Sequence, residues 1–368
     1  MLRILGVGLG TMLLASTAMA QSRWDGADDL PVNPLACEAG AAAAVAAKPY
    51  DGGVPTNAAN LNGKPITVVD VPKLIGIGYF NATSKGMQEA ATELGNVTVT
   101  TDGPTKANID EQITFIDNYI TRGVNGILFA ANDPVAIAPV LKKALGKGIN
   151  VVGYDANSTP DARQWFVNQA EFNGIGKALV DQMAAEIGED GAFAIVTSTF
   201  TTPNQARWIA EMQGYQEKCH PNMKWLETVE AQEDNILSFN QASTLLNKYG
   251  DELKGLFGMT SVATPASAEA VTQAKQCGNV AVVGLATPNA MKPYVQADCV
   301  KSVVLWNPVD LGYAATYVLR AVADGKLEPG ATEVEAGKLG KLQVVNGSEV
   351  LLGAPFVFDK SNIDSFDF

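Results

Sequence analysis

The chain has 368 residues, of which 47% are hydrophobic and 7% aromatic, and it carries 26 basic and 39 acidic side chains for a formal net charge of −13. That length and apolar content suit two α/β lobes, each with its own core, and exclude both a disordered chain and a transmembrane bundle. The acidic balance argues against nucleic acid, whose phosphates would repel it.

Residues 1–20 combine Arg3, an apolar run from Ile4 to Leu14 and the small-x-small ending Ala18-Met19-Ala20, the pattern of a secretory signal cut before Gln21. The run is too short for a bilayer span, and no other stretch approaches roughly 18 uninterrupted apolar residues. A soluble, exported protein is therefore expected. Residues 21–64 are rich in Ala, Asn, Gly and Pro without a sustained period, and read as an irregular extension that wraps the first lobe through Cys37.

From Pro65 the pattern becomes alternating strands and helices. Ile66, Val68 and Val69 begin a strand that ends near Lys73 and feeds a Gly-rich loop, Gly76 to Phe80, before a helix over Ser84 to Leu94. Further β-α units follow at Val97 to Thr121 and Val124 to Gly146, and the strand Ile149 to Tyr154 closes the first lobe at Asp155. Thr159-Pro160 stops regular structure and reads as a crossover, after which Trp165 to Val167 delivers Asn168 and Gln169 to a second lobe. That lobe repeats the architecture: helices over 172–187, 204–217, 238–249, 265–276 and 290–296 alternate with strands over 192–197, 225–229, 255–259, 280–285 and 300–306. Asn307-Pro308 reads as a second crossover, the helix Val309 to Ala323 as a return to the first lobe, and the tail to Phe368 as running back beside the second. The expected organisation is a signal at 1–20, an extension at 21–64, a first lobe of 65–157 plus 308–328, and a second of 158–307 plus 329–368.

Cys277 and Cys299 each precede a strand, and parallel neighbours would bring them to one sheet edge, so a Cys277–Cys299 disulfide is expected in an exported protein. Cys37 and Cys219 remain as a second pair. With His220 as the only histidine, the cysteines make no metal set, and no cofactor is expected. Nucleotide, P-loop, serine-hydrolase and zinc-protease motifs are absent from any supporting context, which weakens enzyme readings, although carboxylate chemistry by Asp155 or Asp310 stays open. What recurs is polar residues at strand ends: Lys73, Asp155, Gln169, Asn204, Gln205, Thr260, Ser261, Thr287, Asn307 and Asp310, with Tyr79, Trp208 and Trp306 nearby. Each alone is as readily a cap or turn residue. Together they suit a hydroxyl-rich ligand, whose directed OH groups need acids and amides and whose C–H face needs aromatic rings.

The segments VPKLIGIGYF, TDGPT, GYDAN, FVNQ, VVGLATPNAMKPYVQ and NIDSFDF resemble the type I periplasmic substrate-binding proteins of ABC importers, within the branch holding the autoinducer-2 receptor and the rhamnose-binding proteins. The resemblance covers most of residues 65–368. It implies two Rossmann-like lobes joined by a hinge of three crossovers, periplasmic residence, a monomer, hinged capture without a covalent step, and delivery to ABC permease subunits. It also implies that Lys73, Asp155 and Gln205 bind ligand. The branch's second ligand aspartate is Asn204 here, and its proline and alanine fall at Met259 and Ser261. These changes imply a different neutral polyhydroxylated ligand, a monosaccharide or sugar alcohol, with an autoinducer-2 or chemotactic receptor as the alternative. A transcriptional regulator of related fold would need an N-terminal helix-turn-helix, and an exported hydrolase would need turnover.

Overall fold

The computed structural model describes residue 30, residues 32–38 and residues 48–368; the expected signal segment and its cleavage point lie outside them. The elements run β1 (Ile66–Val71), α1 (Gly78–Leu94), β2 (Val97–Thr101), α2 (Ile109–Arg122), β3 (Gly126–Phe129), α3 (Ala138–Gly146), β4 (Asn150–Tyr154) and β5 (Trp165–Asn168). Next come α4 (Phe172–Ile187), β6 (Ala192–Thr197), α5 (Pro203–Cys219), β7 (Lys224–Glu230), α6 (Asn235–Tyr249), β8 (Leu253–Gly258), α7 (Ala263–Gln273), β9 (Ala281–Gly284), α8 (Pro288–Gln296) and β10 (Ser302–Leu305). The chain ends with α9 (Pro308–Ala323), β11 (Glu333–Glu335), β12 (Lys341–Val345), β13 (Glu349–Leu351) and β14 (Phe356–Asp359).

Two sheets form. The first has the order β11-β12-β13-β5-β4-β3-β1-β2, and the second the order β7-β6-β8-β9. β10 and β14 pair antiparallel beside the second sheet, joined to it by a parallel bridge from Leu285 to Val304. The central strands β3, β4 and β6 are buried along their whole length, as continuous apolar runs covered by helices on both faces require. Helix starts follow local chemistry. Asn108 and Asp234 accept hydrogen bonds from Glu111 N and Leu237 N at the heads of α2 and α6, and Pro203, Pro288 and Pro308 occupy the first turns of α5, α8 and α9. α1 and α9 pack so closely that a Cβ on Gly86 would lie 1.8 Å from Val309 O, and one on Gly312 would lie 1.9 Å from Thr83 O. Only glycine permits that approach.

From β1 onward the lobes exchange chain three times: between β5 and α4, between β10 and α9, and between β13 and β14. The expected lobe boundaries move accordingly. Pro160 is no crossover; it opens a short 3-10 turn between β4 and β5, which pair in parallel within one sheet. The crossing falls instead at Gln169 to Glu171. The tail likewise does not stay with the second lobe, because β13 pairs parallel to β5 and brings β12 and β11 into the first sheet. β14 and the residues after it return to the second, where Asn289 N donates to Phe368 O and Lys292 Nζ to Phe366 O. The Gly-rich stretch after β1 is also shorter than expected, since α1 already begins at Gly78 and carries Tyr79 in its first turn.

Both disulfides form, Cys277–Cys299 and Cys37–Cys219. The second places Cys37 on the second lobe, where the expectation had the extension wrapping the first. Asn33 N donates to the Glu211 carboxylate, and Lys218 Nζ donates to Leu35 O, so residues 32–38 lie along α5. Residues 48–56 lie on the first lobe: Tyr50 OH donates to Gln164 O, Gly53 N to Arg163 O and Thr56 N to Leu145 O.

Candidate functional site

In doubly wound sheets, ligands bind beyond the carboxyl ends of the strands. Here both sheets point those ends at each other. Lys73 follows β1, Asp155 follows β4, Glu233 follows β7, Met259 to Ser261 follow β8, Leu285 follows β9, and Trp306 follows β10. The first turn of α1 adds Tyr79, and the first two turns of α5 add Asn204, Gln205 and Trp208. All of these line one narrow cavity between the lobes, together with Ile77, Phe80 and Leu305.

The cavity is built around an ion pair. Lys73 Nζ lies 3.2 Å from Asp155 Oδ2, with both side chains almost fully buried. Tyr79 OH donates to Asp155 Oδ1 at 2.9 Å, and Trp306 Nε1 donates to Tyr79 OH at 2.9 Å. A buried pair is stable only when its remaining lone pairs and protons are satisfied. Asn204 completes it from the opposite lobe: its Oδ1 accepts from Lys73 Nζ at 3.2 Å and its Nδ2 donates to Asp155 Oδ1 at 3.3 Å. The lobes thus meet through an amide whose two ends match a donor and an acceptor. Asp155 adopts φ 58°, a left-handed conformation uncommon outside glycine, and such strain gathers where a side chain must be aimed.

The second-lobe wall holds the other carboxylate. Gln205 Oε1 accepts from Thr197 Oγ1 at 2.6 Å and from Ser198 N at 2.8 Å, which leaves its Nε2 to donate to Glu233 Oε1 at 3.3 Å. Burial pushes the Glu233 carboxyl above the usual range, opposed by the positive charge of Lys73 and the nearby Thr260 hydroxyl. Burial and the Asp155 charge likewise hold the Tyr79 phenol well above its ordinary value, so it acts as a donor. Trp208 and Trp306 face each other at 5.6 Å between ring centroids, and Trp306 meets Tyr79 edge-on at 6.1 Å. These rings give the cavity an apolar wall beside its polar floor.

Of the residues singled out in the sequence, Lys73, Tyr79, Asp155, Asn204, Gln205, Trp208, Met259, Thr260, Ser261 and Trp306 line this cavity. Four do not. Gln169 is fully buried at the first crossing, with neither end of its amide hydrogen-bonded within the protein. Thr287 lies at the outer mouth of the cleft with Gly78, Ser261 and Phe368, at the head of α8. Asn307 is spent as the cap of α9, accepting from Val309 N and Asp310 N. Asp310 lies 3.6 Å from Lys338 on the outer face of that helix. Glu233 was missed, because Gln232-Glu233-Asp234 reads as a turn and helix cap. Its position directly after a second-lobe strand, matching that of Asp155 in the first, was the signal available.

A cavity between two lobes, joined by short crossings and lined by ionic, amide and aromatic groups, has the chemistry of a site for a small polar molecule. The chain belongs to the periplasmic binding protein domain family, whose pattern matches residues 68–327. It is 28% identical over 200 residues to the D-ribose/D-allose-binding protein of Pseudomonas aeruginosa, a match covering 52% of this chain and 60% of that protein. Among solved structures it superposes on an ABC transporter solute-binding protein of Clostridium phytofermentas with bound L-rhamnose, at TM-score 0.77 and 28% identity over 82% of this chain and 98% of that one. It shares its fold with LsrB of Clostridium saccharobutylicum in complex with AI-2, at TM-score 0.78 and 23% identity over 82% of this chain and all of that one. Among the described residues, no helix is long and apolar enough to cross a membrane, and no group of three or more His, Cys, Asp or Glu side chains is placed to hold a metal.

Proposed function

We propose that this protein is the exported, periplasmic binding component of an ABC importer, and that it captures a neutral monosaccharide or sugar alcohol without chemically altering it. The observation that carries the reading is the Lys73–Asp155 pair bridged across the cleft by Asn204. Charged and amide groups of this kind fix ligand hydroxyls, while Trp208 and Trp306 supply faces for the C–H side of a ring. Relatives that bind ribose, allose and rhamnose support the same ligand class.

Lys73, Tyr79 and Asp155 hold one side of the ligand, and closure about the three crossings brings Asn204, Gln205, Trp208 and Ser261 onto the other. A ligand that touches both lobes favours the closed form by its differential affinity for it, and that form is what the permease subunits recognise. The monomer suffices, since both walls come from one chain, and the acidic surface disfavours nucleic acid. A thermal-shift panel of D-ribose, D-allose, L-rhamnose, D-arabinose, sugar alcohols and AI-2, followed by calorimetry, tests this. Stabilisation by a sugar or polyol is expected. Stabilisation by AI-2 and by none of the others would make the protein a signal receptor, and slow loss of the bound sugar with product release would make it a hydrolase.

A further inference from the structure

The second-lobe wall of the cavity carries two polar groups that the protein itself leaves unused. Glu233 Oε2 and Trp208 Nε1 are both enclosed, and neither has a hydrogen-bond partner within 3.5 Å in the protein, the nearby Thr260 hydroxyl only lowering the Glu233 pKa from further off. Buried polar atoms in native folds are nearly always paired, so each such exception asks for a reason. Both residues line the same cavity. Glu233 is held there deliberately: Gln205 anchors its other oxygen, and the loop places Gln232 and Glu233 consecutively at φ 53°. The turn is locked by Ala231 N and Gln232 N, which donate to Thr197 O and Ser198 O. Two successive left-handed non-glycine residues are strained backbone that the surrounding hydrogen bonds must hold in place. Asp155 shows the same device on the facing lobe. Both carboxylates of the cavity are therefore aimed by strained backbone.

We infer that Glu233 is a specificity-determining ligand residue: its Oε2 accepts a hydroxyl of the bound sugar, while Trp208 Nε1 donates to a neighbouring ligand oxygen. The charge inventory selects a hydroxyl over an ammonium. Lys73 faces the same cavity and repels a second cation, and Asp155 is already paired with it. Asn204 fits the same account. With Glu233 supplying the second-lobe carboxylate, an acid at 204 would crowd a third negative group against Asp155 Oδ1, which the Asn204 amide approaches to 3.3 Å. Glu233 supplies the second-lobe acid from the loop after β7, facing Asp155 across the cavity.

This inference rests on the sugar-binding reading, and its test separates the two. The full-length mature protein and the variants Glu233→Gln and Glu233→Ala are titrated calorimetrically with the tightest sugar of D-ribose, D-allose, L-rhamnose and D-arabinose, and with each of its singly deoxygenated analogues. Thermal denaturation without ligand checks that both variants fold. Loss of a hydrogen bond to a charged acceptor predicts binding weakened roughly 10- to 100-fold in both variants. One deoxy analogue is expected to bind the wild type correspondingly weakly and to lose no further affinity in Glu233→Ala, the signature of a shared contact. If no sugar binds the wild type, the functional reading falls. If sugars bind and both folded variants retain wild-type affinity and the same order of analogues, the role of Glu233 is overturned while the reading stands.

Discussion

Asn204 shows how much one atom decides in the cleft. Its Oδ1 faces Lys73 and its Nδ2 faces Asp155, so Asn204→Asp exchanges a donor for an acceptor where a carboxylate waits. Like charges within a few ångströms disfavour each other, and closure should lose about 1–2 kcal/mol at neutral pH, roughly a tenfold loss in sugar affinity by calorimetry. Equal or tighter sugar binding by the variant would show that the amide does not latch the lobes. Asp70 is a second buried carboxylate, inside β1, accepting from Tyr154 OH at 2.9 Å and Thr101 Oγ1 at 3.1 Å. Burial outweighs both bonds and pushes its carboxyl from 3.8 up to about 7. Between those values the folded chain holds a proton that the unfolded chain has released. Stability from this group is therefore complete below about pH 4 and is lost as pH rises toward 7, by an amount of order 4 kcal/mol in the limit. Asp70→Asn should flatten that decline in a melting-temperature profile, partly rather than wholly, because burial also pushes Glu186 up to about 7. An unchanged slope would place the ionised form of Asp70 in the folded protein. At this scale the sequence was readable only for residues taken as a set. Lys73, Asp155 and Trp208 could each alone have been a surface, cap or packing residue, and it is their shared place at strand and helix ends that marked the cavity they line. Thr287, Asn307 and Asp310 were over-read because caps and ligand contacts draw on the same side chains, and only the direction of the side chain separates the two. Glu233 was under-read for the same reason.

Between elements, alternation of strand and helix was plain from apolar runs and turn residues, and the crossing at Trp306 to Pro308 could be read because a cap residue followed by proline starts a helix. Sheet membership could not be read. Whether β5 joins β4 or β6, and whether β13 lies beside β5, depends on contacts between residues as far apart as Val167 and Val350, and short buried strands carry no mark of their partner. α1 connects β1 to β2 and α9 follows the second crossing, and their contact rests on two glycines. Gly312→Ala would drive a methyl to 1.9 Å from Thr83 O, where backbone cannot yield cheaply. Overpacking of this kind costs about 1–3 kcal/mol, so the melting temperature should fall by several degrees. A variant melting as the wild type would mean that the two helices separate without penalty. Gly86→Ala, against Val309 O, should behave alike, and the double variant should be less than additive because both substitutions force apart one interface.

For the whole molecule, the N-terminal extension matters more than its composition suggested. Residues 32–38 are bound to α5 and residues 48–56 to the first lobe, so one short segment touches both halves outside the three crossings. The covalent anchor is Cys37–Cys219, with 182 residues between its ends. Chain entropy gives a loop of that size about 5 kcal/mol, against about 3 kcal/mol for the 22-residue separation of Cys277 and Cys299. The long-range bond should therefore be the larger stabiliser. The double variant Cys37→Ser, Cys219→Ser should melt well below the wild type, while Cys277→Ser, Cys299→Ser should lose less, and a reductant should bring the wild type down toward a variant lacking all four. Equal melting of the Cys37/Cys219 variant and the wild type would show that the anchor adds nothing the noncovalent contacts of Asn33 and Lys218 do not already supply. Because the anchor holds only the second lobe, its removal should leave sugar affinity at saturating closure within a few-fold of wild type, and a calorimetric titration of the folded variant separates this local tethering from any part in the cleft.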